Sequence, residues 1–251
     1  LAAEHSLTVK GAGGYGLTDQ LSSRVPSIMK ASPSRSVSGP APDNREAIML
    51  AAERVFARSG YDGSSMRDIA KEANVSQALL HYHFGTKEKL FDEIFSFRAT
   101  EINRERGRHL DRLFADGAIP DLPQLIDALF RPTVELGHDP DRFGNFFSRI
   151  LAASANSDDP HTKDLIAEHY DSTALRFISA FEKVLPGISR EDAVWAYMFS
   201  IGVGMTMMAR TGRTARLSNG ICDDSDVELL LRKINLFVCG GLLKMAPAAK
   251  S

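Results

Sequence analysis

Arg67, Ser76, Gln77, His81, Tyr82, His83 and Lys87 gather donors, acceptors and cations within about one short segment of the chain. They contain no nucleophile held by a base. Hydroxyl, amide, imidazole and ammonium groups at this density are the kinds that meet phosphate oxygens and base edges. The small Ala78 among them allows close backbone approach or contact with a thymine methyl. Elsewhere no GxSxG elbow, P-loop lysine motif or HExxH occurs, so the sequence gives catalysis no foothold. His161, Asp164 and Glu168 share a helical face with His169 adjacent, but without an i, i+4 His pair or a Cys partner a solvated face is the better reading, and no metal or cofactor is expected. Gly11-Ala12-Gly13-Gly14-Tyr15-Gly16 satisfies GxGxxG, yet Ser- and Pro-rich sequence follows where a dinucleotide fold needs a long helix and a second strand.

Helices must position the polar cluster. Ile48, Ala51, Ala52, Val55 and Ser59 trace one face at 3.6-residue spacing after Asp43, a candidate N-cap, and Gly60 ends the helix. Ser64 or Ser65 caps a second, short helix with Met66, Ile69, Ala70 and Ala73 on its core face. Asn74 then stands where a turn needs positive φ, which Asn tolerates better than most residues. Ser76 caps a third helix through about His83, with Leu80 and Phe84 inward and Gln77, Ala78, His81 and Tyr82 outward. Its N-terminal amides suit a phosphate. Thr86 caps a long fourth helix, 86–113, carrying Leu90, Ile94, Phe97 and Ile102. Two short helices joined by a tight turn and packed on a first form a helix-turn-helix.

The runs AAERVFARSGYDGSSMRDIAKEANVS and LLHYHFGTKEKLFDEIF resemble the TetR family of bacterial repressors. The ordered set Ala52, Phe56, Gly60-Tyr61, Ile69-Ala70, Val75-Ser76, Phe84, Lys87-Glu88 and Leu90 carries the resemblance over about 50 residues. The resemblance implies double-stranded operator DNA as partner. Arg67 would meet DNA near the first turn of helix two, Gln77, Ala78 and His81 would lie toward base edges, and Ser76, Tyr82, His83 and Lys87 would serve phosphates. Asn74 and His81 replace the Gly and Tyr that many members carry. Residues 44–98 hold eight Lys+Arg against eight Asp+Glu, so phosphate affinity has to come from placement rather than bulk charge.

Further helices are expected at 122–137, 141–154, 160–184, 190–211 and 225–245, separated by Pro, Gly and Asn breaks, and no strand pattern competes. The fold class is all-α: a helix-turn-helix domain over 43–92, then a helical effector-binding and dimerisation domain over 93–251. Phe143, Phe146, Phe147 and Ile150, Tyr170 and Phe177, and Trp195, Met198 and Phe199 read by default as ordinary core; the resemblance makes them candidate walls of a cavity for a small apolar or amphipathic effector, and Arg149 is either a snorkelled surface residue, half of an internal ion pair, or the contact for an anionic head. Gly202, Gly204, Gly240 and Gly241 each cost about 0.5–1 kcal/mol in a helix. Close approach of two subunits in a homodimer gives that cost a purpose, and the resemblance implies such an interface on the last two long helices; a tolerated kink or a wider pocket is the competing explanation.

The remaining composition sets limits. Thirty Lys+Arg against 32 Asp+Glu give a net charge of −2, which excludes a histone-like polycation. The longest uncharged stretch, Ala193 to Ala209, is 17 residues and holds Ser, Thr and Gly, so it reads as a buried helix and no membrane is expected. Cys222 and Cys239 show neither a disulfide framework nor metal spacing and suit a reducing cytoplasm. Residues 1–42 hold nine of the 30 Pro and Gly and no long apolar period, which reads as a disordered or appended arm with Met29 a candidate start. The alternative from another class is a helical adaptor or enzyme keeping a vestigial helix-turn-helix.

Overall fold

Caps define most of the helix starts. The computed structural model describes residues 44–139 and 144–246, and among these every regular element is helical. The elements are α1 Asn44–Ser59, α2 Met66–Glu72, α3 Gln77–Phe84, α4 Lys87–Leu113, α5 Leu122–His138, α6 Gly144–Ser154, α7 Pro160–Val184, α8 Arg190–Met208, α9 Arg213–Leu217 and α10 Val227–Met245, with a short 3-10 turn at Ala115–Gly117. Ser65, Ser76, Thr86, Asp159, Ser189 and Asp226 each accept a hydrogen bond from the amide three residues on, and Asp121 with Gln124 forms a full capping box. Gly60 leaves α1 at φ +73°. The expected N-cap Asp43, the arm 1–42 and Phe143 lie outside the described residues.

Two apolar clusters support the chain. One joins Ile48, Ala52, Val55 and Phe56 of α1 to Ile69, Ala70, Leu80 and Phe84, then runs along α4 through Phe95 to Phe147, Ile150 and Tyr170. The Phe95 ring lies 5.6 Å from that of Phe147 and 6.1 Å from that of Tyr170, both edge-on. The expected domain boundary near residue 92 therefore falls inside a continuous core and inside one helix. The other cluster packs α5, α7, α8 and α10 around Leu129, Phe130, Phe177 and Phe181. Burying each such side chain stabilises the fold by about 1.5–3 kcal/mol.

Two expected core positions are corrected. Ser59 is exposed at the last turn of α1. Phe97 is 56% exposed, because the buried series on α4 is Leu90, Ile94, Arg98, Ile102, Arg106 and Leu110, which includes two arginines and leaves Phe97 off the face.

Candidate nucleic-acid interface

Local backbone chemistry builds the turn between α2 and α3. Asn74 adopts φ +54°; its amide donates to the Lys71 carbonyl at 3.2 Å, and the Val75 amide reaches the Ala70 carbonyl at 3.0 Å. That pair of bonds is a Schellman closure, with Asn taking the left-handed position that Gly often fills. α2 is also tied to α1, since Arg54 Nε donates to Glu72 Oε1 at 2.8 Å and this hydrogen bond holds the Glu72 carboxyl below its usual range. Ser76 Oγ accepts from the Leu79 amide at 3.1 Å. The amides of Gln77 and Ala78 remain without helical partners at the exposed start of α3.

Most of the residues expected to contact DNA lie on the outward face. Arg67, Ser76, Gln77, Ala78 and His81 are exposed, and Tyr82 is 83% exposed with only the His83 ring beside it, 5.4 Å away. Leu80 and Phe84 are buried behind them. His81 Nδ1 donates to the Gly85 carbonyl at 2.7 Å. A carbonyl only accepts, so Nδ1 carries the hydrogen and Nε2 is left outside this bond.

Lys87 departs from the expectation of a phosphate contact. Its ammonium donates to the Tyr61 carbonyl at 2.8 Å and the Ser64 carbonyl at 3.1 Å, and lies 4.1 Å from the Tyr61 ring centroid. Carbonyls in the loop after α1 draw the charge inward, that of Tyr61 while also accepting from the Ser64 amide and hydroxyl. Lys87 thus clamps α4 to the α1–α2 loop.

Behind this head, Arg98 of α4 forms a bidentate pair with Glu53 of α1, Nε to Oε1 at 2.7 Å and the second nitrogen to Oε2 at 3.3 Å, with both side chains buried. Burial pushes the Glu53 carboxyl up, and the Arg98 hydrogen bond and charge only partly offset it. Glu53, Arg98 and Arg106 were not among the residues expected to matter. Their signal was present, because each charge falls in register with the apolar series of its helix.

The expected effector residues do not form one set. Phe147, Ile150, Tyr170 and Phe177 are buried and Phe146 is partly buried. Trp195, Met198 and Phe199 are 50%, 54% and 56% exposed on α8, so they are not cavity walls within the subunit. Arg149 is exposed as well. It lines a cleft of about 640 Å³ between α1, α4, α6 and α7, together with Phe56, Tyr61, Phe91, Asp92 and His161, and does not point into the core. His161 Nε2 lies 2.8 Å from Asp92 Oδ1, and this hydrogen bond holds the imidazole above its usual range.

The glycines divide likewise. A Cβ on Gly202, Gly240 or Gly241 would meet nothing within 4 Å. They open outward beside Trp195, Met198 and Phe199 of α8 and beside Leu236, Phe237 and Leu243 of α10, all exposed. Gly204 is the correction: a Cβ there would collide with the Phe130 ring, so its close approach is to α5 of the same subunit.

Residues 48–94 match the family described as "Bacterial regulatory proteins, tetR family", and residues 127–241 match "Tetracyclin repressor-like, C-terminal domain". The chain belongs to the TetR family of transcriptional regulators. Among curated relatives, the biofilm operon icaADBC negative transcriptional regulator IcaR of Staphylococcus aureus is 26% identical over 140 residues, 53% of this chain and 72% of IcaR. The HTH-type regulator YhgD of Bacillus subtilis is 29% identical over 106 residues, 38% of this chain and 56% of YhgD. The fold is shared with the ketosteroid transcriptional regulator KstR2 of Mycobacterium tuberculosis, with TM-score 0.60, 16% identity, and 82% of this chain and 98% of that one covered. The fatty acid degradation regulator FadR of Bacillus halodurans follows at TM-score 0.55 and 17% identity, with 82% and 98% covered. This TetR-family chain is an all-helical transcriptional regulator with a helix-turn-helix ahead of a regulatory domain. Among the described residues no helix is long and apolar enough to cross a membrane.

Proposed function

We propose that the regulator works in the cytoplasm as a homodimeric repressor that binds a palindromic operator and leaves it when a small amphipathic effector enters the helical domain. Residues 43–92 form the DNA-binding head and residues 93–251 the regulatory and dimerisation domain. The observation that carries the reading is the exposed set Arg67, Gln77, Ala78, His81 and Tyr82 on a head whose inner faces are fully packed. A reader of DNA needs polar groups held outward on a rigid support. Gln77 offers an amide that suits adenine N6 and N7, and His81 offers Nε2 to a base edge. Ser76, Tyr82 and the open amides of α3 face phosphates, a role from which Lys87 is removed.

The apolar stripes on α8 and α10 support dimerisation. Trp195, Met198 and Phe199, with Leu236, Phe237 and Leu243, are large side chains left uncovered beside glycines that admit close approach. A dimer buries both stripes and sets two α3 helices at a fixed spacing. Repression as the sign of control draws on IcaR, a relative named as a negative regulator.

The effector controls that spacing through α4, which starts in the head and ends in the regulatory domain. It shifts the equilibrium only if it binds the DNA-incompetent arrangement more tightly. The test is salt-dependent, sequence-selective binding to DNA from the gene's own upstream region, followed by footprinting. Two protected half-sites about one helical turn apart, or a multiple of it, are expected. Binding with no preference over random DNA overturns the reading in favour of an adaptor with a vestigial helix-turn-helix.

A further inference from the structure

Arg106 is 1% exposed, which makes it the largest fully buried side chain among the described residues, and none of their carboxylates pairs with it. Its partners are neutral. Nε donates to the Leu129 carbonyl at 2.9 Å, one terminal nitrogen to Thr133 Oγ1 at 3.1 Å, and the other to Asn103 Oδ1 at 3.4 Å. Leu129 and Thr133 flank Pro132, the residue that interrupts the amide ladder of α5. Asn103 is held in place by its own bond to the His169 carbonyl at 2.7 Å. A guanidinium has five N–H donors, so each terminal nitrogen keeps one unused.

The surroundings add donors; Asp171 acts on Tyr197 from nearby but forms no ion pair with Arg106. Tyr170 is buried and its hydroxyl has no hydrogen-bond partner. Burial pushes the hydroxyls of Tyr170 and Tyr197 up, and the nearby charge of Arg106 opposes that in both. Leu129, which accepts from Arg106, belongs to one apolar cluster, and Tyr170, next to the His169 whose carbonyl holds Asn103, belongs to the other, so Arg106 lies where the two meet. Met205 packs against both clusters, and a thioether side chain repacks readily around a guest.

A buried cation without a counter-charge is costly, and an orphaned hydroxyl adds to the cost. Both costs are relieved by one ligand group. We propose that Arg106, with Tyr170 beside it, anchors the carboxylate head of an amphipathic effector whose apolar body lies among the Phe and Met side chains of the adjoining clusters. A carboxylate accepts two parallel N–H bonds and a third from a phenol, and its single charge balances the single guanidinium. A phosphate monoester would bring a second charge for which this junction has no cation. The proposal rests on the effector-responsive reading above and replaces Arg149 with Arg106 as the head-group contact.

The experiment titrates the full-length protein with a chain-length series of fatty acids and the matching primary alcohols, following heat of binding and thermal midpoint. Operator release is measured separately. Acids are expected to bind wild type at least about tenfold more tightly than their alcohols. Arg106→Gln should remove that preference. Tyr170→Phe, which deletes a hydroxyl with no partner, should leave the ligand-free midpoint unchanged or higher while weakening acids, and not alcohols, by about tenfold. Equal binding of acid and alcohol by wild type, unchanged acid affinity in a folded Tyr170→Phe protein, or no binding by any acid overturns the assignment. Operator binding that persists in any of these cases leaves the regulator reading standing, whereas loss of selective DNA binding with an intact acid preference overturns only that reading.

Discussion

Glu53 on α1 and Arg98 on α4 form a buried two-bond ion pair that fixes how the first helix of the head lies on the helix leading out of it. Burial outweighs the attraction at Glu53, whose carboxyl is held above its usual range. A buried pair of this kind adds little net stability but is costly to break on one side. Glu53→Leu and Arg98→Met should each lower unfolding free energy by about 3–5 kcal/mol, and the two combined should recover most of it. Urea unfolding of the four proteins gives the coupling; additive losses would mean that the two residues act separately.

Lys87→Ala separates a clamp from a phosphate contact. Its ammonium is engaged by the Tyr61 and Ser64 carbonyls, so the variant should be destabilised by about 1.5–3 kcal/mol. The salt slope of DNA binding should stay the same. A slope reduced by about one unit at unchanged stability would restore Lys87 to the phosphate set.

Gln77→Ala tests reading itself. Preference should relax at one or two base positions, at a cost of about 1–3 kcal/mol each, as measured by selection from a randomised operator. Weaker binding with an unchanged preferred sequence would remove Gln77 from the base-reading set.

Phe237→Glu on α10 and Trp195→Glu on α8 place a charge on the uncovered apolar stripes. Each should raise the dimer dissociation constant by at least about tenfold, and Gly240→Leu should do so by bulk alone. Light scattering across a dilution series reports the mass. A wild type that is monomeric at micromolar concentration removes the dimer.

His161 links the start of α7 to α4 through Asp92, and this raises the imidazole above its unperturbed value of about 6.5. A raised value in the folded state means the contribution is complete below about pH 6.5 and lost as pH climbs through the folded value. The wild-type thermal midpoint should therefore fall more between about pH 6 and pH 8 than that of His161→Gln. Parallel profiles would show that the contact is too exposed to matter.

Caps and periodicity made the helices legible: Ser76, Thr86 and Asn74 act locally, so their structural roles follow from type and position. The outward face of α3 was legible because Leu80 and Phe84 determine which side of the helix is left outside. Tertiary partners were not. Trp195, Met198 and Phe199 read as cavity walls because an apolar stripe looks the same whether it faces its own core or a second subunit. Arg149 interrupts an apolar run, whereas Arg106 sits in a charged stretch and joins the apolar series of α4 only at helical spacing, and the packing of α4 against α5 shows that it is the enclosed one. Gly204 and Gly202 are two residues apart, yet the position of Phe130 gives them opposite surroundings.

α3 has only eight residues, far too few for a helix to persist alone in water. Its shape is therefore lent by Leu80 and Phe84 docking on α1, α2 and α4, and the recognition surface exists only while that whole unit is closed. Amide hydrogens of α3 should then exchange at the opening free energy of α1 instead of fraying independently. Under the proposed function, any loosening of α1 would erase base discrimination all at once, so that an operator would be either read by an intact head or met only through its charge.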